Sequence, residues 1–160
     1  MLNMSDLRIR AMTRAEFDDY RRRSVRRYAG EHVRVGNWSP EDAEQRAEKE
    51  TDELLPKGVD TPEMVLLVAE AAGAIVGLVW VGPAPQQRAG WWIYDIEVVD
   101  DQRGRGYGRA LLDAAEREVL VRDGDSIGLN VFGANAAARG LYESAGYEVA
   151  ALLMRKRLTP

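Results

Sequence analysis

The stretch DDQRGRGYGRALLDAAERE, Asp100 to Glu118, sets Gly104, Gly106 and Gly108 at alternate positions among Arg103, Arg105 and Arg109, just before a helical pattern. A loop that leads from a strand into a helix N-terminus presents unpaired backbone N–H groups and the positive end of the helix dipole, which together favour a phosphate or pyrophosphate. Missing Cβ atoms let such an anion approach closely. A tight turn that needs positive φ would explain the same glycines, and arginines beside it can equally be solvated. Two familiar nucleotide loops are excluded directly. Counted from Gly104 or Gly106, a G-x-G-x-x-G pattern would need glycine where Arg109 or Leu111 stands, and no Gly-Lys-Ser/Thr of a P-loop occurs.

Downstream, Leu111, Leu112, Ala115 and Val119 recur at helical spacing, so an amphipathic helix runs from Gly108 to about Arg122. SIGLNVF then alternates like a strand. In ANAAARGLYESAGY, Ala138, Leu141, Tyr142 and Ala145 share a helical face that closes at Gly146, and GYEVAALLMRKRL reads as a last strand. Upstream, LRIRAM suggests a first strand, Thr13 and Glu16 form a capping box for a helix to about Ala29, and Ser39-Pro40 starts a second helix to about Leu54. EMVLLVAEAAGAIVGLVWVG is a hairpin turning at Ala72-Gly73, PAPQQRAG a turn region, and WWIYDIEVV a further strand. The expected order is β-α-α-β-β-β-α-β-α-β, a mixed α/β layer structure.

The chain has 160 residues, enough for one well-filled core, and a single domain over 1–160 is expected. With 46% hydrophobic and 30% charged residues the balance is that of a soluble globular protein, no apolar run approaches a membrane span, and the N-terminus lacks a secretory pattern, so a cytoplasmic location and no membrane partner are expected. Zero cysteines exclude disulfides and thiolate chemistry, and one histidine, His32, builds no metal site alone, so no metal is expected. A net charge of −4 argues against nucleic acid as a partner. The arginine-rich YRRRSVRRYAGEHVR, Tyr20 to Arg34, reads as a solvated helix face balanced by acidic neighbours, and His32 as structural.

Arg103-Gly104-Arg105-Gly106-Tyr107-Gly108 resembles the Arg/Gln-x-x-Gly-x-Gly/Ala motif of the GCN5-related N-acetyltransferase (GNAT) superfamily. A second block agrees in order and spacing: Leu129-Asn130-Val131, Asn135, Ala138, Leu141-Tyr142 and Gly146-Tyr147 are similar to the family's downstream motif. The likeness covers about Met64 to Leu158. It implies the acyl-CoA N-acyltransferase fold, a mixed and mostly antiparallel central sheet with helices on both faces. It also implies acetyl-CoA as cosubstrate, seated where WWIYDIEVV and SIGLNVF splay apart. The pyrophosphate would meet the backbone amides from Arg103 through Arg105, Tyr107 and Gly108 to Arg109. Val98 would meet the pantetheine through its main chain, Asn135 the cosubstrate through its side-chain amide, and Tyr142 would protonate the departing thiolate. The resemblance leaves a homodimer open. Two departures stand out: Gly140 lies mid-helix, for which close packing against another backbone or the cosubstrate is the expected reason, and EVVDD lacks a proline that many relatives carry there.

An acceptor amine must lose a proton before attacking a thioester, which calls for a base near the strand gap. Alternation in WWIYDIEVV puts Trp92, Tyr94, Ile96 and Val98 on one face and Ile93, Asp95 and Glu97 on the other. Glu97 is the first candidate base, Asp95 the second, and a relay through water and carbonyls the third. The expected activity is transfer of an acetyl group from acetyl-CoA to a primary amine of a small molecule or peptide by direct attack in a ternary complex. A non-catalytic acyl-CoA sensor of the same fold, or a transferase for longer acyl chains, are the alternatives.

Overall fold

The computed structural model describes residues 6–85, 88 and 90–159. Its elements run β1 (Arg8–Ala11), α1 (Arg14–Arg34), α2 (Ala43–Leu54), β2 (Val65–Ala71), β3 (Ala74–Pro83), β4 (Trp91–Val98), α3 (Tyr107–Val121), β5 (Ile127–Leu129) and α4 (Ala136–Ser144). The five strands form one sheet in sequence order, antiparallel except for the parallel β4–β5 pair. A parallel pair needs a crossover, which α3 supplies.

Local signals account for most of these elements. The Thr13 hydroxyl accepts from the Glu16 N–H at 3.2 Å while the Thr13 N–H donates to the Glu16 carboxylate at 2.8 Å, the reciprocal cap expected from sequence. α1 runs to Arg34, past the expected stop near Ala29, and Val33, one turn further on, still packs on the cluster that Val25 and Ala29 form with Ala43 and Ala47 of α2. The β2–β3 hairpin turns on Ala72 and Gly73, both at positive φ. Gln86, Gln87 and Ala89 of the expected turn before β4 lie outside the described residues.

Alternating side chains divide the core between the two faces of the sheet. Leu67, Ala69, Val79, Val81 and Ile93 pack on Leu111, Leu112, Ala115 and Val119 of α3, with Tyr142 of α4 completing the layer. Leu66, Val68, Leu78 and Trp80 meet Phe17 and Tyr20 of α1. Helices therefore cover both faces, as the resemblance implies. Gly77 permits the close β3–β4 approach: a Cβ there would stand 2.6 Å from the Glu97 carbonyl oxygen.

Three expectations are corrected. Residues 147–159 form no strand; Val149, Leu152, Leu153, Met154 and Leu158 are exposed. Packing against another backbone of the chain does not explain Gly140, since a Cβ there would meet none of the described residues within 4 Å. β4 does not alternate evenly. Trp80 lies opposite Asp95 and Val81 opposite Ile93, so Tyr94 is an extra residue in the ladder. This bulge turns Ile93 toward α3 together with Ile96 and Val98, while Tyr94 packs with Trp80 on the α1 face. Bulges re-aim side chains in this way, and nothing in the local composition marks the position.

Candidate functional site

Pairing between β4 and β5 ends at Ile93 opposite Leu129, and from Tyr94 to Val98 β4 continues with β3 on one edge but without β5 on the other. The two strands thus part at their carboxyl ends, as expected. A groove of about 520 Å³ opens at the end of β4, lined by Arg23, Ile75, Gly77, Glu97 and Val98 among others. Beside it the chain makes a single 3₁₀ turn at Asp100–Gln102 and enters the glycine loop.

Gly104 and Gly106 have φ of 74° and 85°, so the loop does need the left-handed conformations that glycine tolerates. Gly106 is also the N-cap of α3 and brings no side chain to cap it. The Ala110 N–H bonds to the Gly106 carbonyl at 3.1 Å; the N–H groups of Tyr107, Gly108 and Arg109 before it have no intrahelical acceptor. A Cβ on Gly104 would meet nothing within 4 Å, which leaves that side of the loop open. The turn and anion-cradle readings of the glycines are therefore compatible.

Side chains of the motif divide in role. Tyr107 is 2% exposed and belongs to the core. Arg103 pairs with Asp100 at 2.7 Å, and Arg109 donates to the Ser144 hydroxyl at 2.8 Å, tying α3 to α4. Arg105 is exposed. The Asn135 side-chain oxygen caps α4 by accepting from the Ala138 N–H at 3.1 Å. Among the described residues its NH₂ group donates no hydrogen bond. Tyr142 is buried beside Tyr147, and desolvation, assisted by the charge of Asp95, pushes its hydroxyl up to about 12. It stays a proton donor at neutral pH.

The α1 face of β4 carries a charge cluster. Asp95 accepts from the Tyr20 hydroxyl at 2.8 Å and from Arg27; Glu97 accepts from Arg23 at 2.9 Å on one oxygen and from Arg27 on the other. Tyr20 is fully buried, and burial beside Asp95 raises its hydroxyl well above the ordinary range, so it is the donor in that bond. Arg27 lies between two carboxylates that would otherwise repel each other. The solvated-face reading of the arginine run therefore fails at Arg27; it holds at Arg22 and Arg26, whose partners Asp19 and Glu44 are exposed, and at Arg23, which reaches Glu97 from an exposed position. Tyr20, Arg23, Arg27 and Glu31 recur every three or four residues, a stripe that marks them as one face of α1. Glu31 is half-buried, and desolvation raises its carboxyl from the ordinary value.

His32 is more than a core residue. Its ring stacks on Trp38 at 4.0 Å, meets Tyr28 edge-on at 4.5 Å and approaches Phe132 at 5.9 Å, which joins α1 to the loop between β5 and α4. Burial lowers its basicity. Among the described residues, no three His, Asp or Glu side chains gather as a metal-binding group, and no helix is long and apolar enough to cross a membrane.

Residues 14–147 match the profile of the acetyltransferase (GNAT) family. The N-acetyltransferase YycN of Bacillus subtilis, itself uncharacterized, is 36% identical over 154 residues, which is 92% of this chain and 96% of that protein. A crystal structure of B. subtilis YycN superposes with a TM-score of 0.86 at 31% identity, covering 96% of this chain and 99% of that one. The complex of AAC(6′)-Iy with the bisubstrate analogue CoA-S-monomethyl-acetylneamine shares the fold with a TM-score of 0.63 at 16% identity, over 96% and 99% of the two chains. The chain belongs to the GNAT acetyltransferase family, and its enzyme class is N-acetyltransferase.

Proposed function

We propose that the protein transfers an acetyl group from acetyl-CoA to a primary amine of a small molecule or peptide, by direct attack within a ternary complex. The observation that carries this reading is the coincidence of the uncapped α3 N-terminus with the strand gap between β4 and β5. The open N–H groups of residues 107–109 suit a pyrophosphate, and the free edge of Tyr94–Val98 suits the amide-bearing arm that follows it. In AAC(6′)-Iy, alike in fold, one analogue joins CoA to acetylneamine. We extend that two-ligand arrangement to this chain.

The cosubstrate supplies an activated thioester; the chain's own residues supply position and protons. Val98 meets the arm through its main chain, Asn135 through its free NH₂, and a backbone N–H near Glu97 or Val98 stabilises the developing oxyanion. Tyr142 donates its proton to the thiolate as the C–S bond breaks. The amine's proton leaves through water to a β4 carboxylate. Both oxygens of Glu97 already accept guanidinium hydrogens, whereas Asp95 uses one oxygen and its charge reaches the Tyr142 hydroxyl. We therefore assign the proton to Asp95, with Glu97 holding Arg27 in place. Calorimetric titration with acetyl-CoA tests the reading: saturable binding at micromolar to millimolar concentration is expected, and no binding would end it.

A further inference from the structure

On the stripe of α1 that meets β4, Glu31 is the residue that the charge cluster leaves out. Tyr20 and Arg27 both reach the same oxygen of Asp95, Oδ2, and Arg27 also meets Glu97. Glu31 follows Arg27 by one helical turn, about 6 Å. It is half-buried, and among the described residues its carboxylate has neither a hydrogen bond nor an ion pair. Arg34, a further cation near it, is exposed. Taking a carboxylate partly out of water without a partner is unfavourable, so a cation seated there would be stabilising.

That turn of α1 is fixed at the strand gap. His32 stacks on Trp38 and meets Phe132 in the loop between β5 and α4, which ties the end of α1 to the β5 side of the gap. Arg155 holds the same end by donating to the carbonyls of Val35 and Gly36 at 3.0 and 3.2 Å and to the Asn37 side chain at 2.7 Å. The charge of Asp95 reaches both the Glu31 carboxyl and the Tyr142 hydroxyl. Asp95 therefore stands near the assigned proton donor and near an unpaired carboxylate.

We propose that Glu31 selects the acceptor: its carboxylate holds the second ammonium of a diamine or polyamine while the first nitrogen, beside Asp95, is acetylated. The inference rests on the acetyl-transfer reading and names its substrate class. A nitrogen that attacks a thioester must be uncharged, so the cation that satisfies Glu31 is a different nitrogen of the same molecule. Arg27 is committed to Asp95 and Glu97, which keeps it from taking that place. One helical turn from the Arg27–Asp95 pair to Glu31 is the reach of a short carbon chain. In the reaction the first ammonium gives one proton through water to Asp95, and the freed nitrogen bonds to the acetyl carbon. The C–S bond breaks, the Tyr142 proton goes to the thiolate, and the second proton lost from nitrogen returns to Tyr142. The products are CoA and a mono-acetylated amine that keeps its ammonium at Glu31.

Calorimetry of the full chain, alone and with CoA, compares putrescine and spermidine with n-butylamine, which has the carbon chain of putrescine and one nitrogen fewer. Thiol release from acetyl-CoA gives KM and kcat for the same amines. Putrescine or spermidine is expected to bind about tenfold or more tightly than n-butylamine, and Glu31→Gln to remove that preference. In thiol release the variant should raise KM for the diamine about tenfold with a smaller change in kcat, the mark of a group that binds substrate and transition state alike. A residue that served structure alone would weaken both kinds of amine together. Equal binding of diamine and monoamine by the wild type, or a Glu31→Gln variant that keeps the preference, would overturn the inference; the wild-type comparison holds whether or not the variant folds. Thiol release indifferent to the second ammonium would keep acetyl transfer and overturn this inference. A Glu31-dependent preference in calorimetry, with no thiol released by any amine, would keep Glu31 as the cation's anchor and end the acetyl-transfer reading.

Discussion

On the α1 face of β4, the charges have found each other: Asp95 and Glu97 are met by Tyr20, Arg23 and Arg27. At the end of the same strand, where the chain enters α3, the donors are left open: Gly106 brings no cap and the first turn of the helix has no acceptor. Closed charge fixes geometry, because breaking a paired and partly buried ion leaves its partner uncompensated. Open donors invite an anion, because the helix end remains unsatisfied until something negative arrives. The acetyl-transfer reading places the acceptor amine and proton transfer beside the closed region and the cosubstrate in the open one.

The comparison can be broken at four points. Tyr142→Phe should have the largest effect, lowering kcat by about a hundredfold while leaving acetyl-CoA affinity unchanged by calorimetry. Because the wild-type hydroxyl is held up to about 12, it should remain the protonated donor until the pH approaches that value. Gly106→Val comes next. A β-branched residue at φ of 85° is strained, and the disturbed cradle should weaken acetyl-CoA binding about tenfold or more in the same titration.

Arg27→Met sharpens the comparison from the closed side. It leaves Asp95 and Glu97 facing each other without a cation between them. Arg27 is 37% exposed, so solvent moderates the loss, and about 2 kcal/mol is expected in urea unfolding. The smallest effect should come from Glu16, whose carboxyl is held down to about 2 chiefly by its hydrogen bonds from Arg10, with the Thr13 cap assisting. A carboxyl depressed in the folded state stabilises the fold above its ordinary value near 4.5, and that contribution is lost as pH falls toward 2. Thermal unfolding of Glu16→Gln between pH 6 and 3 should show a shallower pH slope than the wild type.

What the sequence made legible was local. The capping box at Thr13, the Ala72-Gly73 turn and the glycine loop leading into α3 all depend on residues within a few positions of one another. The α1 cluster depends on partners about 70 positions away, so no short window showed that Arg27 turns inward and Arg23 reaches across to Glu97 while Arg22 and Arg26 pair only with exposed neighbours. The helical stripe through Tyr20, Arg23, Arg27 and Glu31 was a usable signal that charge counting alone obscured. The bulge at Tyr94 left no local mark and overturned an even alternation along β4. The last strand was misread because its apolar run has the composition of a buried strand; the structure gives that run no partner within the described residues of its own chain.

Release of free thiol from acetyl-CoA, followed with Ellman's reagent across polyamines, aminoglycosides, amino acids and peptides, tests the central claim most directly. The protein's lack of cysteine keeps the background low. Release with one amine class, lost in Asp95→Asn and less affected in Glu97→Gln, is the predicted result. No release with any amine, while acetyl-CoA still binds, would contradict catalysis and leave an acyl-CoA sensor; a greater loss in Glu97→Gln would return the proton to Glu97.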